Sequence, residues 1–382
     1  MNVRYVDPSD GRSYPVERPL WRSPTGSHLN LSIGEGLRRL DIDAACRSVW
    51  RYARAIRVDA RAAVTMGEGW TPLVDIEWEG LRVDAKLEFM MPTGSFKDRG
   101  MTVMVSYLKQ CGLERVLEDS SGNAGASLAA YAAAAGIEAR ILVPETAAYP
   151  KIAQIAASGA DVVTIPGSRQ DVADAALAMS ADIFYASHNW QAFFAEGTKT
   201  LAYELWEQMG FRAPDNIVVP LGYGSNVMGC EHGFRELLAN AEIERMPRLF
   251  GVQAANCAPY YTAYQAGADH LLPTAIRPTV AEGIASSKPT RVREVLDAVR
   301  KSHGSIVAVS EGAIAHALGA LARKGLYVEP TSAAAAAGLT ALTRAGVISG
   351  TQRTVLVLTG SGLKAGERIG DILKLAARRS AS

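Results

Sequence analysis

Short β-rich runs alternate with helical stretches from residue 81 to residue 358, and no other feature of this chain restricts its fold as much. Residues 81–87 read as a strand, 97–111 as a helix, and 124–136 as a helix that packs through a small alanine face. Residues 139–143 and 162–165 read as strands, with a helix at 150–158 between them that Gly159 ends. Residues 217–220, 249–252 and 354–358 are short β-rich runs, each followed by a glycine turn or a helical stretch. This alternation is the pattern of parallel-rich sheets covered by helices, which places the chain in the α/β class. No internal repeat competes with that reading.

A chain of 382 residues is long enough to bury two cores of ordinary size. The expected division is an N-terminal segment at 1–66, an α/β region at 67–200 and a second at 201–382. The first segment is rich in Pro, Gly and Ser from residue 8 to 26 and is expected to be irregular, with a helix at 43–55.

Forty basic and 39 acidic residues leave a formal charge of +1, so no broad attraction for nucleic acid or an anionic membrane is implied. The longest apolar runs, such as residues 129–137, are too short and too alanine-rich to span a bilayer. The start of the chain, with Asn2, Arg4, Asp7 and Asp10, has no long apolar stretch of the secretory kind, so a cytoplasmic location is expected. Four cysteines lie far apart without Cys-x-x-Cys spacing and read mostly as small buried apolar residues. Six histidines are scattered without metal-ligand spacing, so no metal is expected and each defaults to a structural role. His188 alone is held open.

Lys97 stands in Pro92-Thr93-Gly94-Ser95-Phe96-Lys97-Asp98-Arg99-Gly100, just beyond a Thr-Gly-Ser turn at the start of a predicted helix. Positive partial charge there disfavours the protonated amine, which readies it for Schiff-base chemistry. A lone Ser-x-Lys would read equally well as a surface lysine in a first helical turn. The whole nine-residue string, however, resembles the pyridoxal-phosphate attachment segment of the threonine synthase family, within the tryptophan synthase β-like enzymes of fold type II. Gly67-Glu68-Gly69-Trp70-Thr71-Pro72-Leu73 is similar to the string that precedes the catalytic domain in that family. The resemblance runs in ordered motifs from about Gly67 to Lys364. It does not include the cysteine-rich segment that many threonine synthases carry near the N-terminus.

That resemblance implies pyridoxal 5'-phosphate as cofactor, and the protein must then supply a lysine, a phosphate cradle, a partner for the ring nitrogen and a cup for the substrate carboxylate. For the cradle we take Gly222, Tyr223, Gly224, Ser225 and Asn226, between the run 217–220 and a helical stretch at 228–238. Successive N–H groups in such a turn bind a phosphate dianion without a basic side chain. Read alone the turn is ordinary, and a dinucleotide-binding reading lacks its third glycine. The family's turn has a Gly-Asn-x-Gly-Asn character, with Tyr223 here in place of the first Asn.

Thr359-Gly360-Ser361-Gly362-Leu363-Lys364 is similar to the family's Thr-Gly-His-Gly-Leu-Lys string and implies Thr359 as the ring-nitrogen partner, a hydroxyl that carries no formal charge. Ser120-Ser121-Gly122-Asn123-Ala124-Gly125 resembles the Ser-Thr-Gly-Asn loop. It implies that Ser121, Asn123 and Ala124 hold the substrate α-carboxylate while the Asn123 side chain meets the cofactor's ring hydroxyl. The same residues read as a Ser/Asn helix cap, and the two uses share one geometry. The family-like strings at 251–255 and 329–334 are expected to be cavity wall.

The departure is at the substrate's far end. Threonine synthases resemble one another in Asn-Ser-x-Asn-Pro-x-Arg-x-Glu-Gly, whose Asn, Ser and Arg grip the phosphate of O-phosphohomoserine. Anchored on Glu196-Gly197, this chain reads His188-Asn189-Trp190-Gln191-Ala192-Phe193-Phe194-Ala195, so Phe194 falls where the arginine stands. An aromatic ring offers a phosphate dianion no charge compensation. Two activities follow from the resemblance. One is the family's γ-elimination and β-hydration of O-phosphohomoserine. The other is β-elimination or β-replacement on a serine- or threonine-type or O-substituted substrate, of the ammonia-lyase or cysteate/cysteine synthase kind. Both make the chain a lyase acting on a small amino acid, with Lys97 as base and His188 and Phe194 beside the substrate, and a homodimer is expected.

Overall fold

The structure, a computed structural model, describes residues 3–374 apart from 146, 148 and 168, and apart from the side chains of 149–151. The N-terminal segment is not wholly irregular. Its strands β1 (Arg4–Val6), β2 (Ser13–Pro15) and β3 (Asn30–Leu31) make a small antiparallel sheet in the order β2-β1-β3. The helix expected at 43–55 is replaced by one 3₁₀ turn at Val49–Tyr52, whose Trp50 N–H is capped by the Ser48 hydroxyl. Tertiary packing overrides local propensity there: Val49 and Trp50 enter one hydrophobic core and Tyr52 another.

Two larger sheets carry the fold. The antiparallel hairpin of β4 (Leu73–Trp78) and β5 (Leu81–Lys86) forms one edge of the bigger sheet. Strands β6 (Arg115–Glu118), β7 (Glu138–Pro144), β8 (Asp161–Ile165) and β9 (Phe184–Tyr185) form a separate, wholly parallel sheet in the order β8-β7-β6-β9. Strands β10 (Asn216–Pro220), β11 (Arg248–Ala254), β12 (Ser305–Val309) and β13 (Thr354–Val357) complete the six-stranded sheet in the order β12-β11-β10-β13-β5-β4. All its pairs but β4–β5 are parallel. The six-stranded sheet thus draws strands from both sides of residue 200. Its central strands β10 and β13 are buried at every position, as helices on both faces require.

The helices are α1 (Lys97–Gln110), α2 (Asn123–Ala135), α3 (Tyr149–Ala157), α4 (Arg169–Met179), α5 (Ala192–Thr198), α6 (Thr200–Gln208), α7 (Ser225–Ala239), α8 (Pro259–Gln265), α9 (Val292–Lys301), α10 (Glu311–Arg323), α11 (Pro330–Arg344) and α12 (Gly366–Ile372). Small residues set how closely they approach. A Cβ on Gly197 of α5 would lie 2.1 Å from the Arg99 carbonyl oxygen of α1, and one on Gly338 of α11 would lie 2.2 Å from Val252 Cγ2 of β11. Among the described residues no helix is long and apolar enough to cross a membrane.

A buried ionic cluster joins these parts. Arg99 donates to Glu88 through Nε (2.6 Å) and Nη2 (2.8 Å), and to Glu204 through Nη1 (2.9 Å) and Nη2 (2.8 Å). Lys86, at the end of β5, donates to Glu204 and to the Thr71 carbonyl (2.7 Å). All four charged side chains are fully buried, two of each sign. Removing one partner from such a cluster strands the others in a medium that solvates them poorly. Glu204→Gln should therefore lower stability by about 3–5 kcal/mol in urea unfolding. A loss below about 1 kcal/mol would show that the cluster does not bear on the fold.

Candidate active site

The turn before α1 is fixed at both ends. Asp98 accepts from the Thr93 N–H (2.8 Å), the Thr93 hydroxyl (2.5 Å) and the Ser127 hydroxyl of α2 (2.6 Å). The Phe96 N–H donates to the Thr359 carbonyl (2.9 Å) and the Ser361 N–H to the Gly94 carbonyl (2.9 Å). Lys97 is thereby set beside the strand exit that carries Thr359. Burial is the largest influence on its amine and lowers its pKa from 10.5 to about 8, against the opposing pull of Glu118 and Glu329. Desolvation thus acts in the same direction as the expected effect of the helix start. Lys97 Nζ lies 4.8 Å from the Phe96 ring centroid and 5.5 Å from that of Phe194.

The turn at 222–226 ends β10 and opens α7. Gly224 has φ +92°, and a Cβ there would sit 2.3 Å from Val295 Cγ2, so only glycine fits. Among the described residues no backbone or side-chain acceptor takes the N–H groups of residues 222–227. Six consecutive unpartnered donors in a glycine turn at a helix start are the makings of an anion nest. The Asn226 Oδ1 and Ser95 Oγ atoms are also buried without a partner among the described residues.

Asn123 opens α2, and its Nδ2 donates to both carboxylate oxygens of Glu329 (3.1 and 3.0 Å). The N–H groups of Ser121, Asn123 and Ala124 likewise have no acceptor among the described residues. Gly125 follows because a Cβ there would lie 1.8 Å from the Ser120 carbonyl oxygen. Thr359 is buried, its Oγ1 lies 3.1 Å from Ser332 Oγ, and Ser332 accepts from the N–H groups of Thr359 (3.0 Å) and Gly360 (2.9 Å). A cavity of about 120 Å³ is lined by Asn123, Gly283, Glu329, Thr331 and Lys364, among others.

His188 and Phe194 close the other side. The His188 ring is 5.4 Å from the Phe194 ring and 6.2 Å from that of Tyr223, and its Nδ1 is 3.3 Å from Glu118 Oε2. Burial, and then the charge of Lys97, hold its pKa well below the ordinary histidine value, so the ring is neutral. Phe194 is packed flat on α1, since a Cβ on Gly100 would lie 2.4 Å from its ring carbons. Ring contacts thus link Lys97, Phe194, His188 and Tyr223, and the Phe96–Thr359 backbone bond sets Thr359 beside the Lys97 turn.

The structure also adds four residues that were not singled out from the sequence. Glu329 and Ser332, assigned above to cavity wall, bind Asn123 and Thr359. Glu118 and Asp119, at the end of β6, lie beneath the Ser120–Asn123 loop, and the acidic pair between an apolar strand and a Ser-Ser-Gly-Asn string was the available signal.

A half-buried lysine with a lowered pKa, an open nest of N–H donors, a buried hydroxyl and a second set of free N–H groups fit what pyridoxal phosphate and an amino acid require. Comparison with known proteins agrees. Residues 64–360 match the family described as "Pyridoxal-phosphate dependent enzyme". The chain is 35% identical to a threonine synthase of Methanocaldococcus jannaschii over 93% of this chain and 91% of that protein. It is 37% identical to one of Methanosarcina acetivorans over 86% and 82% respectively. Among solved structures, the processed form of threonine deaminase isoform 2 from Solanum lycopersicum matches with a TM-score of 0.69 at 20% identity, covering 91% of this chain and 97% of that one. Maize serine racemase matches with a TM-score of 0.66 at 20% identity, covering 80% and 92%. These two share the two-domain fold type II architecture. The chain belongs to the pyridoxal-phosphate-dependent enzymes, among the threonine synthases, and pyridoxal 5'-phosphate is its cofactor.

Proposed function

We propose that this lyase makes L-threonine and inorganic phosphate from O-phosphohomoserine and water. The observation that carries the reading is the 35% identity to a threonine synthase across 93% of the chain. Serine racemase and threonine deaminase are relatives in fold alone, so the β-elimination alternative has no comparable support.

Pyridoxal phosphate, when bound, supplies the electron sink that lets protons leave carbon. Lys97 holds the cofactor and, once released from it, takes the substrate's α-proton at Nζ and returns protons later in the cycle. Burial serves both tasks, because it leaves a large fraction of the amine neutral near pH 8. The N–H groups of 222–227 cradle the cofactor phosphate. The N–H groups of Ser121, Asn123 and Ala124 take the substrate carboxylate at the start of α2.

Thr359 donates its hydroxyl hydrogen to the ring nitrogen. Ser332 makes this possible: its lone pairs are occupied by the N–H groups of Thr359 and Gly360, so its own hydrogen is given to Thr359 Oγ1 or to the Gly360 carbonyl. Glu329 orients the Asn123 amide. Neutral His188 borders the substrate's outer end. We further propose a cytoplasmic homodimer. Exposed Met90, Tyr327 and Leu363, gathered along the segment that follows β13, offer apolar surface for a second copy.

Threonine formation from O-phosphohomoserine, with release of one phosphate per threonine, is the expected activity of the cofactor-loaded protein. Lys97→Ala should lower kcat by at least about three decades while the protein still binds cofactor. A wild-type protein that forms oxoacids from serine or threonine but no threonine from O-phosphohomoserine would overturn the assignment.

The lowered pKa of Lys97 gives a second test. Burial disfavours the charged amine, so the reactive neutral form appears as pH rises through about 8 rather than 10.5. Cofactor uptake by the cofactor-free protein, followed by visible absorbance, should accelerate up to about pH 8 and level off above it. Continued tenfold acceleration per pH unit beyond 9 would mean that the amine titrates near its ordinary value of about 10.4.

A further inference from the structure

A phosphorylated substrate needs a cation at its far end, and position 194 supplies none. Phe194 is buried against Gly100, so this is a packed ring rather than a gap that another side chain fills locally. Most nearby cations are already engaged. Lys97 serves the cofactor, and Arg99, Lys86 and Lys199 belong to buried ionic clusters. Arg291 is buried and donates to the Leu29 and Trp190 carbonyls and to Asn30. Lys364 donates to the Thr93 carbonyl (2.9 Å), on the Asn123 and Glu329 side of the site.

Arg169 is different. It is the first residue of α4, remote in sequence from position 194, and its guanidinium reaches back to the end of β6, where Nη2 lies 2.8 Å from Asp119 Oδ2. Asp119 also accepts from the Tyr185 hydroxyl (2.8 Å), and its N–H donates to Glu118 Oε1 (3.2 Å). The other Glu118 oxygen meets His188, whose ring faces Tyr223 and Phe194. A continuous run of contacts thus leads from Arg169 to the rings that border Lys97.

The field of the guanidinium is felt at the same place. After burial, Arg169 is the largest influence on the Tyr223 hydroxyl, and it contributes to the lowering at His188. The side chain is 47% exposed, against 5% for Asp119. Among the described residues Nε and Nη1 of Arg169 have no hydrogen-bond partner, so two edges of the fork remain for a ligand. Asp119 offsets part of the guanidinium charge through that ion pair, while burial raises the pKa of both Asp119 and Glu118 and so favours their neutral forms.

We propose that Arg169 grips the phosphate of O-phosphohomoserine, replacing from α4 the arginine that threonine synthases carry where this chain has Phe194. The inference rests on the function proposed above. Asp119 and Tyr185 set the guanidinium's angle, and the free edge of the fork turns to a phosphate monoester dianion between His188 and Tyr223. A bidentate guanidinium suits that anion better than an ammonium does.

The test uses the cofactor-loaded enzyme and its Arg169→Gln and Arg169→Lys variants. Steady-state kinetics with O-phosphohomoserine are measured beside equilibrium binding of radiolabelled inorganic phosphate, which needs no turnover. Arg169→Gln should raise both KM and the phosphate dissociation constant roughly 10- to 100-fold, with kcat within about threefold of wild type. Arg169→Lys should fall between the two, and it decides the matter alone if Arg169→Gln proves insoluble. Unchanged KM and unchanged phosphate affinity in a variant would overturn the role of Arg169 while leaving the proposed function intact. If the wild type makes no threonine, the proposed function fails by itself. Phosphate binding that is present in wild type and lost in Arg169→Gln would then still uphold the anion site, and binding that is absent from wild type or equal in both would overturn it.

Discussion

The buried cluster of Lys86, Glu88, Arg99 and Glu204 is the constraint on which the site depends. Four fully buried charges sum to zero, and each comes from a different element: β5, the turn after it, α1 and α6. A cluster of this kind contributes little net stability, because desolvation offsets most of the attraction. Its effect is geometric. Arg99 can satisfy two carboxylates only in one register, and Lys97 lies two residues earlier on the same helical turn. The start of α1 is then tied to the strand exit at Thr359 by the Phe96 and Ser361 N–H groups. The lysine and the hydroxyl that flank a cofactor ring are thus fixed by backbone bonds rather than by side-chain chance.

Around that frame the site is built mostly from main-chain donors. The nest at 222–227 and the loop at 121–124 each present N–H groups with no acceptor among the described residues, at the starts of α7 and α2. Such donors are preorganised and carry no charge that must be desolvated when the anion arrives. Glycines 125 and 224 are required there because a Cβ would strike neighbouring atoms at 1.8 and 2.3 Å. Charged side chains are kept for the periphery: Glu329 on Asn123, Glu118 on His188, and the ion pair of Asp119 and Arg169. This division lets the centre bind two anionic groups while Lys97 stays partly neutral.

The α/β alternation was legible because buried parallel strands are short β-rich runs, as at 217–220 and 354–358, and these and the half-buried run at 81–87 lie within a residue or so of the observed β10, β13 and β5. The expected helix at 43–55 fails because its Val49, Trp50 and Tyr52 are claimed by two cores at once, which a continuous helix could not serve. In the site, Lys97, Asn123 and Thr359 were readable because each sits in a local string whose backbone conformation is itself the function. Glu329 and Ser332 were not, since their partners Asn123 and Thr359 are 206 and 27 residues away and the pairing exists only after folding. Arg169 has the same character: nothing in its own neighbourhood in sequence points to β6. The depression of the Lys97 amine was legible from the helix start, whereas the desolvation that adds to it could not be read from a local motif.

The central claim is that Lys97, half-buried and partly neutral, is the residue that carries the cofactor. Borohydride reduction of the loaded protein, followed by peptide mass mapping, tests it directly. The account predicts one pyridoxyl phosphate mass per chain, on the peptide that contains Lys97. A label on Lys86, Lys199 or Lys364, or no covalent label on a protein that has taken up cofactor, would contradict it.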